Sequence, residues 1–399
     1  MAKVVVVAPY VPYPARHGGA IRSRVLLDAL RMDHEVHLAA AVANDEDRSN
    51  AKALEAHTGI VVHPLSAHEA PRPSLPSKLS NWLRGRSELV RRRWPKQAVA
   101  EMARIFDRVE CDLSVVDSTF ALPVITRPCH LLYLHNLEHS MFDRVDGERR
   151  SFSDRLTRRM EARGLRSYEK GAIEQAALTV TVSEHDRSLA LGLAPAARIE
   201  AVPNSVDLEQ LPLLPRPTRT VAPRLLFVGS LDYPPNLEAV TELVEQHVPA
   251  LRKVFPELTV RLVGKDPHGH GARFAGIAGV EVIGPVDDIV EHYRETHAVY
   301  LPIRSGGGTR IKILEAWALG VPVLSTAVGC EGLPATDGVH LHRFETPEQG
   351  CAKVRAVMAE TSDDLRQNGR QLVEQQFAHT AAIARLRELA NELLAQRAD

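Results

Sequence analysis

A glycine-rich stretch in the second half of the chain carries the residues best suited to binding an anion. Ser305 precedes three consecutive glycines, and an apolar helical pattern begins near Thr309. Bare backbone N–H groups at a helix N-terminus attract anions, and the helix dipole adds to the attraction. Two cations in the first turn oppose that dipole unless an anion compensates them. The stretch therefore predicts a phosphate site with the following residues: Gly307, Gly308, Thr309, Arg310 and Lys312.

Glu315 lies one turn further along the same predicted helix. Its two carboxylate oxygens can accept hydrogen bonds from neighbouring hydroxyls, such as those of a ribose. A phosphate site followed by this carboxylate indicates a nucleotide. The alternative is an ordinary glycine turn before a solvated helix start.

His135 is a second candidate for chemistry. It directly follows the apolar segment His130–Leu134, which we predict to be a strand. The C-terminal ends of parallel strands face the ligand crevice in open α/β sheets. His135 is therefore a catalytic candidate, with Asn136 and Glu138 placed to orient it or to meet a second substrate, whereas His139 is expected to be structural. A capping or packing role for His135 is the alternative.

Gly18 and Gly19 precede the first predicted helix. Glycines allow a backbone to approach a phosphate closely, so both are candidates for nucleotide binding. The loop lacks the G-x-G-x-x-G spacing, which argues against a dinucleotide-dependent dehydrogenase. An ordinary loop is the alternative.

Strands alternating with helices position these residues. In the first half, the segments Lys3–Ala8, 34–41, 112–116, 130–134 and 178–182 read as strands, and in the second half the segments 224–228, 258–263, 280–283, 298–302 and 321–325 do so. Such alternation predicts parallel sheets with right-handed crossovers. The expected architecture is α/β, with two Rossmann-like doubly wound domains and a cleft between them.

The proline-rich segment Pro203–Pro223 marks a linker between the two halves. We therefore expect a first domain at residues 1–205 and a second domain at 206–379. The last helix, at 380–399, follows the point where the second domain is complete, and we expect it to cross back to the first.

Composition narrows the class of protein. The 399 residues include 49 basic and 50 acidic side chains, so a general nucleic-acid binder is not expected. The four cysteines form no C-x-x-C pair, which disfavours a zinc or redox centre, and no apolar run is long enough to cross a bilayer. A cytoplasmic protein is expected.

Two further patterns concern metal and anion binding. Asp45-Glu-Asp47 matches a D-x-D metal motif, but it lies in a polar, surface-like run, and we assign no metal. We interpret the arginine-rich segments 84–108 and 149–166 as ordinary helix surface, because acidic residues intervene. The alternative is attraction of an anionic acceptor molecule or peripheral contact with the inner membrane face.

At the level of motifs, the chain resembles the family 4 glycosyltransferases, which are retaining enzymes with the two-domain GT-B fold. The resemblance covers nearly the whole length and is strongest from Gly306 to Leu333. The segments that carry it elsewhere are Phe227–Asn236, Val202–Asp207 and the early Gly18-Gly19 loop with Arg22.

That resemblance implies residue roles. Glu315 matches the glutamate that binds the nucleotide ribose, whereas Gly307 stands where relatives have a glutamate that holds the donor sugar. Ser230 and Asn236 occupy the region after the first strand of the second domain, where relatives have an arginine and a lysine. Gly229 and Ser230 are thereby assigned to the donor site, and Arg310 and Lys312 are expected to supply the missing charge.

The resemblance implies a retaining, metal-independent hexosyltransferase of class EC 2.4 that needs no cofactor besides its nucleotide-diphosphate sugar. The acceptor is a glycan, a glycolipid or a natural product. By the same resemblance, the domain at 1–205 is expected to bind the acceptor and the domain at 206–379 the nucleotide-sugar donor. Arg310 and Lys312 would stabilise the leaving diphosphate, and His135 would contact the donor sugar. A catalytically inactive GT-B protein that binds nucleotide sugars is the alternative, because the first glutamate is absent.

Overall fold

The computed structural model describes residues 1–15, 17–67, 87, 90, 94–143, 152–217, 222–307, 310–359 and 363–397. The chain forms two compact units. Unit 1 comprises Met1–Asn204 and Thr380–Asp399, and unit 2 comprises Ser205–His379. Each unit is built on one parallel sheet.

Unit 1 contains a seven-stranded sheet in the order β3-β2-β1-β4-β5-β6-β7. Every neighbouring pair in it is parallel. Its strands are β1 (Lys3–Ala8), β2 (Glu35–Val42), β3 (Val61–Ser66), β4 (Leu113–Asp117), β5 (Leu131–Tyr133), β6 (Leu178–Thr181) and β7 (Ile199–Ala201).

The helices of unit 1 cover both faces of this sheet. They are α1 (Gly18–Leu30), α2 (Asp45–Thr58), α3 (Lys96–Val109), α4 (Glu138–Asp143), α5 (Phe152–Gln175), α6 (Glu184–Leu193) and, at the end of the chain, α13 (His379–Ala395), with a 3₁₀ turn at Thr119–Val124. Alternate residues of β1 enter two separate apolar clusters, Val4 and Val6 in one and Val5 and Val7 in the other. Burial on both faces explains why β1 is a continuous β-branched run.

Unit 2 contains a six-stranded parallel sheet in the order β10-β9-β8-β11-β12-β13. Its strands are β8 (Arg224–Val228), β9 (Thr259–Val263), β10 (Val280–Gly284), β11 (Ala298–Leu301), β12 (Val323–Ser325) and β13 (His342–Arg343). The helices are α7 (Pro234–Glu242), α8 (Val248–Val254), α9 (Val290–Arg294), α10 (Ile311–Ala318), α11 (Pro347–Ala359) and α12 (Asp364–Gln376). A π-helical turn at Leu243–His247 joins α7 to α8, and a 3₁₀ turn covers His270–Phe274.

The expected fold class is confirmed: two parallel-sheet α/β domains follow one another along the chain. The apolar runs predicted the inner strands and β10. They missed β3, β7 and β13, each of which lies at an edge of its sheet. An edge strand is less buried and needs no continuous apolar run; β3 even contains Pro64, which edge strands tolerate.

Within the described residues, no helix is both long enough and apolar enough to cross a membrane.

Candidate functional site

The glycine-rich stretch lies at the switch point of the unit 2 sheet. Strand β8 has β9 on one side and β11 on the other, so the order of strands reverses beside it. Ligands of open α/β sheets bind outside the carboxyl ends of strands at such a point. Gly229 and Ser230 follow β8, and Ser305–Gly307 follows β11, so both predicted segments flank the switch point.

The side chain of Arg310 stabilises the turn before α10. Its guanidinium donates to the carbonyl oxygens of Gly307 at 2.7 Å and Ser305 at 3.1 Å. Gly306 has a φ of +105°, and a Cβ there would lie 2.8 Å from the Arg310 Nη2 atom. Glycine is therefore required at this position. Helix α10 begins at Ile311, two residues later than expected, with Arg310 as its N-cap; Gly308 and Thr309 lie outside the described residues.

Lys312 connects α10 to the end of β8. Its Nζ atom donates to Asn236 Oδ1 at 2.8 Å and lies 4.6 Å from the centre of the Phe227 ring. Burial, with a smaller contribution from Arg310, lowers the pKa of Lys312 to about 7. A Cβ on Gly229 would come within 2.8 Å of this ammonium group, so the glycine makes room for it. The structure thus brings Gly229, Ser230 and Lys312 together.

Asn236 completes this cluster from α7. Its Nδ2 atom donates to the Ser230 carbonyl at 2.9 Å while its Oδ1 atom accepts from Lys312. The amide therefore orients the ammonium group against the loop after β8. A poorly solvated cation held at a strand end favours an anionic ligand, because an anion would restore its full charge.

Glu315 lies on the same helix and contacts Tyr293, a fully buried side chain of α9. Burial raises the pKa of the Glu315 carboxyl, while Lys312 and the Tyr293 hydroxyl oppose that increase. The Glu315 side chain is half-buried, and the Tyr293 hydroxyl is its hydrogen-bond donor. It can accept further hydrogen bonds from a ligand.

Unit 1 contains a second cluster of polar side chains at its own switch point, where β1 lies between β2 and β4. His135 follows β5, and its Nε2 atom lies 2.5 Å from Oδ1 of Asp117, the last residue of β4. Ser23 of α1 donates to the other Asp117 oxygen at 2.5 Å. The carboxylate is 1% exposed, so these contacts fix the plane of the imidazole ring.

The other face of this cluster meets the loop after β1. The Tyr10 hydroxyl lies 3.4 Å from His135 Nδ1. A Cβ on Gly19 would stand 2.5 Å from that hydroxyl and 3.3 Å from His135 Nδ1. Gly19 is thus required by close packing against Tyr10 and His135. Gly18 is the first residue of α1, and the N-cap His17 accepts from the Ala20 N–H at 3.2 Å.

Two buried glutamates, Glu138 and Glu169, lie at the start of helix α4. Glu169 of α5 accepts from the backbone N–H of Glu138 at 2.6 Å, and its other oxygen lies 2.6 Å from His139 Nδ1. His139 therefore fixes α4 to α5. Burial, together with the nearby Glu169, raises the pKa of Glu138 to about 7.

Several predicted features lie away from these clusters. Asp45 and Asp47 occupy the first turn of α2, where the Asp47 carboxylate accepts from the Ala43 N–H at 2.9 Å. That is a helix-capping arrangement. Of the arginine-rich segments, residues 84–86, 88–89, 91–93 and 149–151 lie outside the described residues.

Sequence reasoning passed over Asp117, Tyr10, Ser23 and Tyr293. Asp117 offered a usable signal, because a single carboxylate ends the apolar run that starts at Leu113. The others carry no local signal: their partners lie on elements that only the sheet topology brings together.

Sequence comparisons identify proteins that are similar to this chain. Residues 222–360 match the family model described as "Glycosyl transferases group 1". A curated relative, described as an uncharacterized 44.6 kDa protein in the cps region of Klebsiella pneumoniae, is 23% identical over 356 residues, which are 86% of this chain and 87% of that protein.

Solved structures resemble the chain along almost its full length. Sucrose-phosphate synthase from Thermosynechococcus elongatus superposes with a TM-score of 0.71 at 16% identity, covering 99% of this chain and all of that one. HepE of Anabaena, solved in complex with UDP-glucose, gives 0.67 at 15% identity, covering 98% and 100%. The fold is the two-domain Rossmann-like GT-B fold, and the family match, with these structural neighbours, supports a relationship of this chain to the group 1 glycosyltransferases.

Proposed function

We propose that the chain is a retaining glycosyltransferase of the family 4 type, which transfers a sugar from a nucleotide-diphosphate donor to an acceptor hydroxyl without a metal ion. The observation that carries the proposal is the position of Lys312. Its ammonium group reaches from α10 to the end of β8 and contacts Asn236 on the segment that follows. In that segment family 4 relatives have a basic side chain, and this chain has Asn236 instead. A cation held there is suited to a diphosphate.

In the proposed reaction the acceptor oxygen attacks the anomeric carbon on the face from which the diphosphate departs. The bond between that carbon and the diphosphate oxygen breaks as the new glycosidic bond forms, and the acceptor proton passes to the departing diphosphate. Lys312 stabilises the charge that develops on the leaving oxygen. Arg310, whose guanidinium lies beside the glycine turn, stabilises the same leaving group. Glu315 accepts from the ribose hydroxyls.

His135 is proposed to contact the donor sugar, with its ring oriented by Asp117. The acceptor belongs to the glycan, glycolipid or natural-product class. Gly307 replaces the glutamate that holds the sugar in relatives, so the sugar depends more heavily on the remaining contacts. We place the reaction in the cytoplasm, with peripheral membrane contact where the acceptor is lipid-linked.

A nucleotide screen tests this function. UDP is the first ligand to try, because a structural neighbour was solved with it. Glu315→Gln should weaken UDP binding about tenfold or more, because a charge-assisted hydrogen bond contributes roughly 1.5–3 kcal/mol. Glu257→Gln, an exposed glutamate of the same unit, is the matched control and should bind as the unaltered protein does.

Turnover is measured on the same proteins with a panel of nucleotide sugars, in the presence of excess chelator. Sugar transfer with retained anomeric configuration is expected, at an unchanged rate after chelation. Nucleotide binding without transfer or donor hydrolysis would instead favour an inactive sugar-nucleotide-binding protein. Strict dependence on a divalent cation would contradict the metal-independent mechanism.

A further inference from the structure

Three potential metal ligands meet on unit 2, on loops that follow β8 and β9. Asp232, His268 and His270 each offer one ligand atom, and these atoms all lie within 4.8 Å of one another. His268 Nδ1 is 2.9 Å from Asp232 Oδ1, and the two imidazole rings have centroids 5.8 Å apart. Such separations approach those of ligands that share one metal ion, whose bonds to nitrogen and oxygen are about 2.0–2.2 Å long.

The two loops are joined by their backbones. The Leu231 N–H donates to the Lys265 carbonyl at 2.8 Å. The strands also approach closely at this end, since a Cβ on Gly264 would lie 2.1 Å from the Gly229 carbonyl oxygen. Asp232 is therefore held at a fixed position beside the second loop.

Asp266 organises the loop that carries both histidines. Its carboxylate accepts from the backbone N–H of His270 at 2.7 Å and of Gly271 at 2.7 Å. A ligand set on a loop fixed in this way loses less conformational freedom when it closes on an ion. The carboxylate of Asp266 holds the loop in place. The side chains of His268, His270 and Asp232 are each at least partly exposed to solvent.

From this arrangement we propose a binding site for a divalent transition-metal ion of the zinc class, with Asp232, His268 and His270 as its ligands. Two imidazoles and one carboxylate suit Zn²⁺, whereas Mg²⁺ and Ca²⁺ prefer sites made of oxygen alone. Three protein ligands leave a coordination position for water or for an anion. A bound ion would connect the ends of β8 and β9.

The proposal is independent of the transferase reaction. Its ligands are not the residues proposed to hold the diphosphate or the ribose. Loss of the ion by chelation is therefore compatible with the metal-independent transfer proposed above.

Titration of the untagged, full-length protein with Co²⁺ and then Zn²⁺ tests the site. One equivalent of Co²⁺ should give the visible absorption of a low-coordinate complex with nitrogen ligands, and Zn²⁺ should displace it. His268→Ala, His270→Ala and Asp232→Asn should each weaken Zn²⁺ binding about tenfold or more. His57→Ala removes an exposed histidine of unit 1 and should leave binding unchanged.

Because neither histidine is buried, their removal should leave the metal-free melting temperature nearly unchanged. Zn²⁺ should raise the melting temperature of the unaltered protein but not that of the variants. Zn²⁺ binding at unaltered affinity in the double variant His268→Ala/His270→Ala would overturn the assignment. Absence of stoichiometric binding to the unaltered protein would overturn it as well.

Discussion

At the scale of single residues, Lys312 is the side chain on which the proposed donor site depends most. Its ammonium group is held by Asn236 in a poorly solvated position, and its pKa is lowered to about 7. A neutral lysine has little attraction for phosphate, so the charge state of this side chain should be coupled to ligand binding.

We predict that UDP binding takes up protons at mildly alkaline pH. Between about pH 7.5 and 9.5 the nucleotide is fully ionised, and Lys312 is mostly neutral in the protein without ligand. The bound diphosphate raises the pKa of Lys312, so a proton is taken up on binding. The affinity for UDP should therefore fall as the pH rises. Calorimetry in buffers of different ionisation enthalpy measures the uptake. Lys312→Met should abolish it, whereas Lys253→Met, on α8, should not. Equal proton uptake in Lys312→Met would assign the effect to another group.

Asp117 acts on His135 rather than on a substrate. Its buried carboxylate holds one ring nitrogen of His135, and Ser23 holds the carboxylate in turn. The aspartate therefore selects both the orientation and the tautomer of the imidazole.

Replacing Asp117 with Asn should lower kcat about tenfold or more, because His135, which is proposed to contact the donor sugar, loses the carboxylate that orients it. The affinity for UDP should stay unchanged, because unit 2 carries the proposed nucleotide residues. Steady-state kinetics and the pH profile of kcat separate this from a folding defect. A variant with normal kcat and an unshifted profile would show that the contact between Asp117 and His135 has no role in the reaction.

At the scale of elements, Arg22 holds the carboxyl ends of three strands. From α1 its buried guanidinium donates to the carbonyl oxygens of Leu134, Thr181 and Val202, which follow or end β5, β6 and β7. The same group stacks 4.1 Å from the centre of the Tyr133 ring. One planar side chain thus donates to the carboxyl ends of three strands, and at Thr181 it adds to the Val202 N–H that the same oxygen already accepts.

Arg22→Met should reduce the free energy of unfolding by about 3 kcal/mol or more, because it removes a donor from three buried carbonyl oxygens, although that of Thr181 keeps the Val202 N–H. Arg22→Lys should not restore stability, since a point charge cannot reach all three carbonyls. Arg24→Met, two residues along the same helix, breaks only a pair with Asp28 near the surface and should cost less than about 1 kcal/mol. Urea unfolding of the three variants measures the difference; equal losses for positions 22 and 24 would contradict this role.

At the scale of the whole molecule, the end of the chain completes unit 1. Leu386, Leu389 and Leu393 of α13 enter the same apolar cluster as β1 and α1. Arg387 adds a two-pronged ion pair with Asp33, at 2.7 and 2.9 Å. The core of unit 1 therefore depends on residues separated from it along the chain by all of unit 2.

Leu389→Ala should destabilise unit 1 by about 2–5 kcal/mol, the usual cost of emptying a fully buried leucine site. Hydrogen exchange followed by mass spectrometry should show faster exchange in β1 and α1, with little change in β8 and β9. Leu213→Ala, at an exposed leucine of unit 2, is the control and should change neither. Faster exchange confined to unit 2 would contradict the packing described here.

The sequence by itself determined the class of fold and the positions of the inner strands. A strand buried on both faces must be a continuous apolar run, and this signal is local, as in Lys3–Ala8. Edge strands such as β3 and β13 lack it and were recognised only in the structure. The glycine turn could also be recognised from the sequence, because the cations that follow it stand at a helix start, where they oppose the helix dipole.

Only the tertiary structure decided which side chains meet. The contact between Lys312 and Asn236 joins residues 76 positions apart. The contact between Asp117 and His135 joins the last residue of β4 to a residue that follows β5. The cluster of Asp232, His268 and His270 requires β8 and β9 to be neighbours. Sheet order is set by packing of the whole domain, so no local pattern specifies these contacts. The sequence shows which groups can do chemistry, and the order of the strands decides which of them act together.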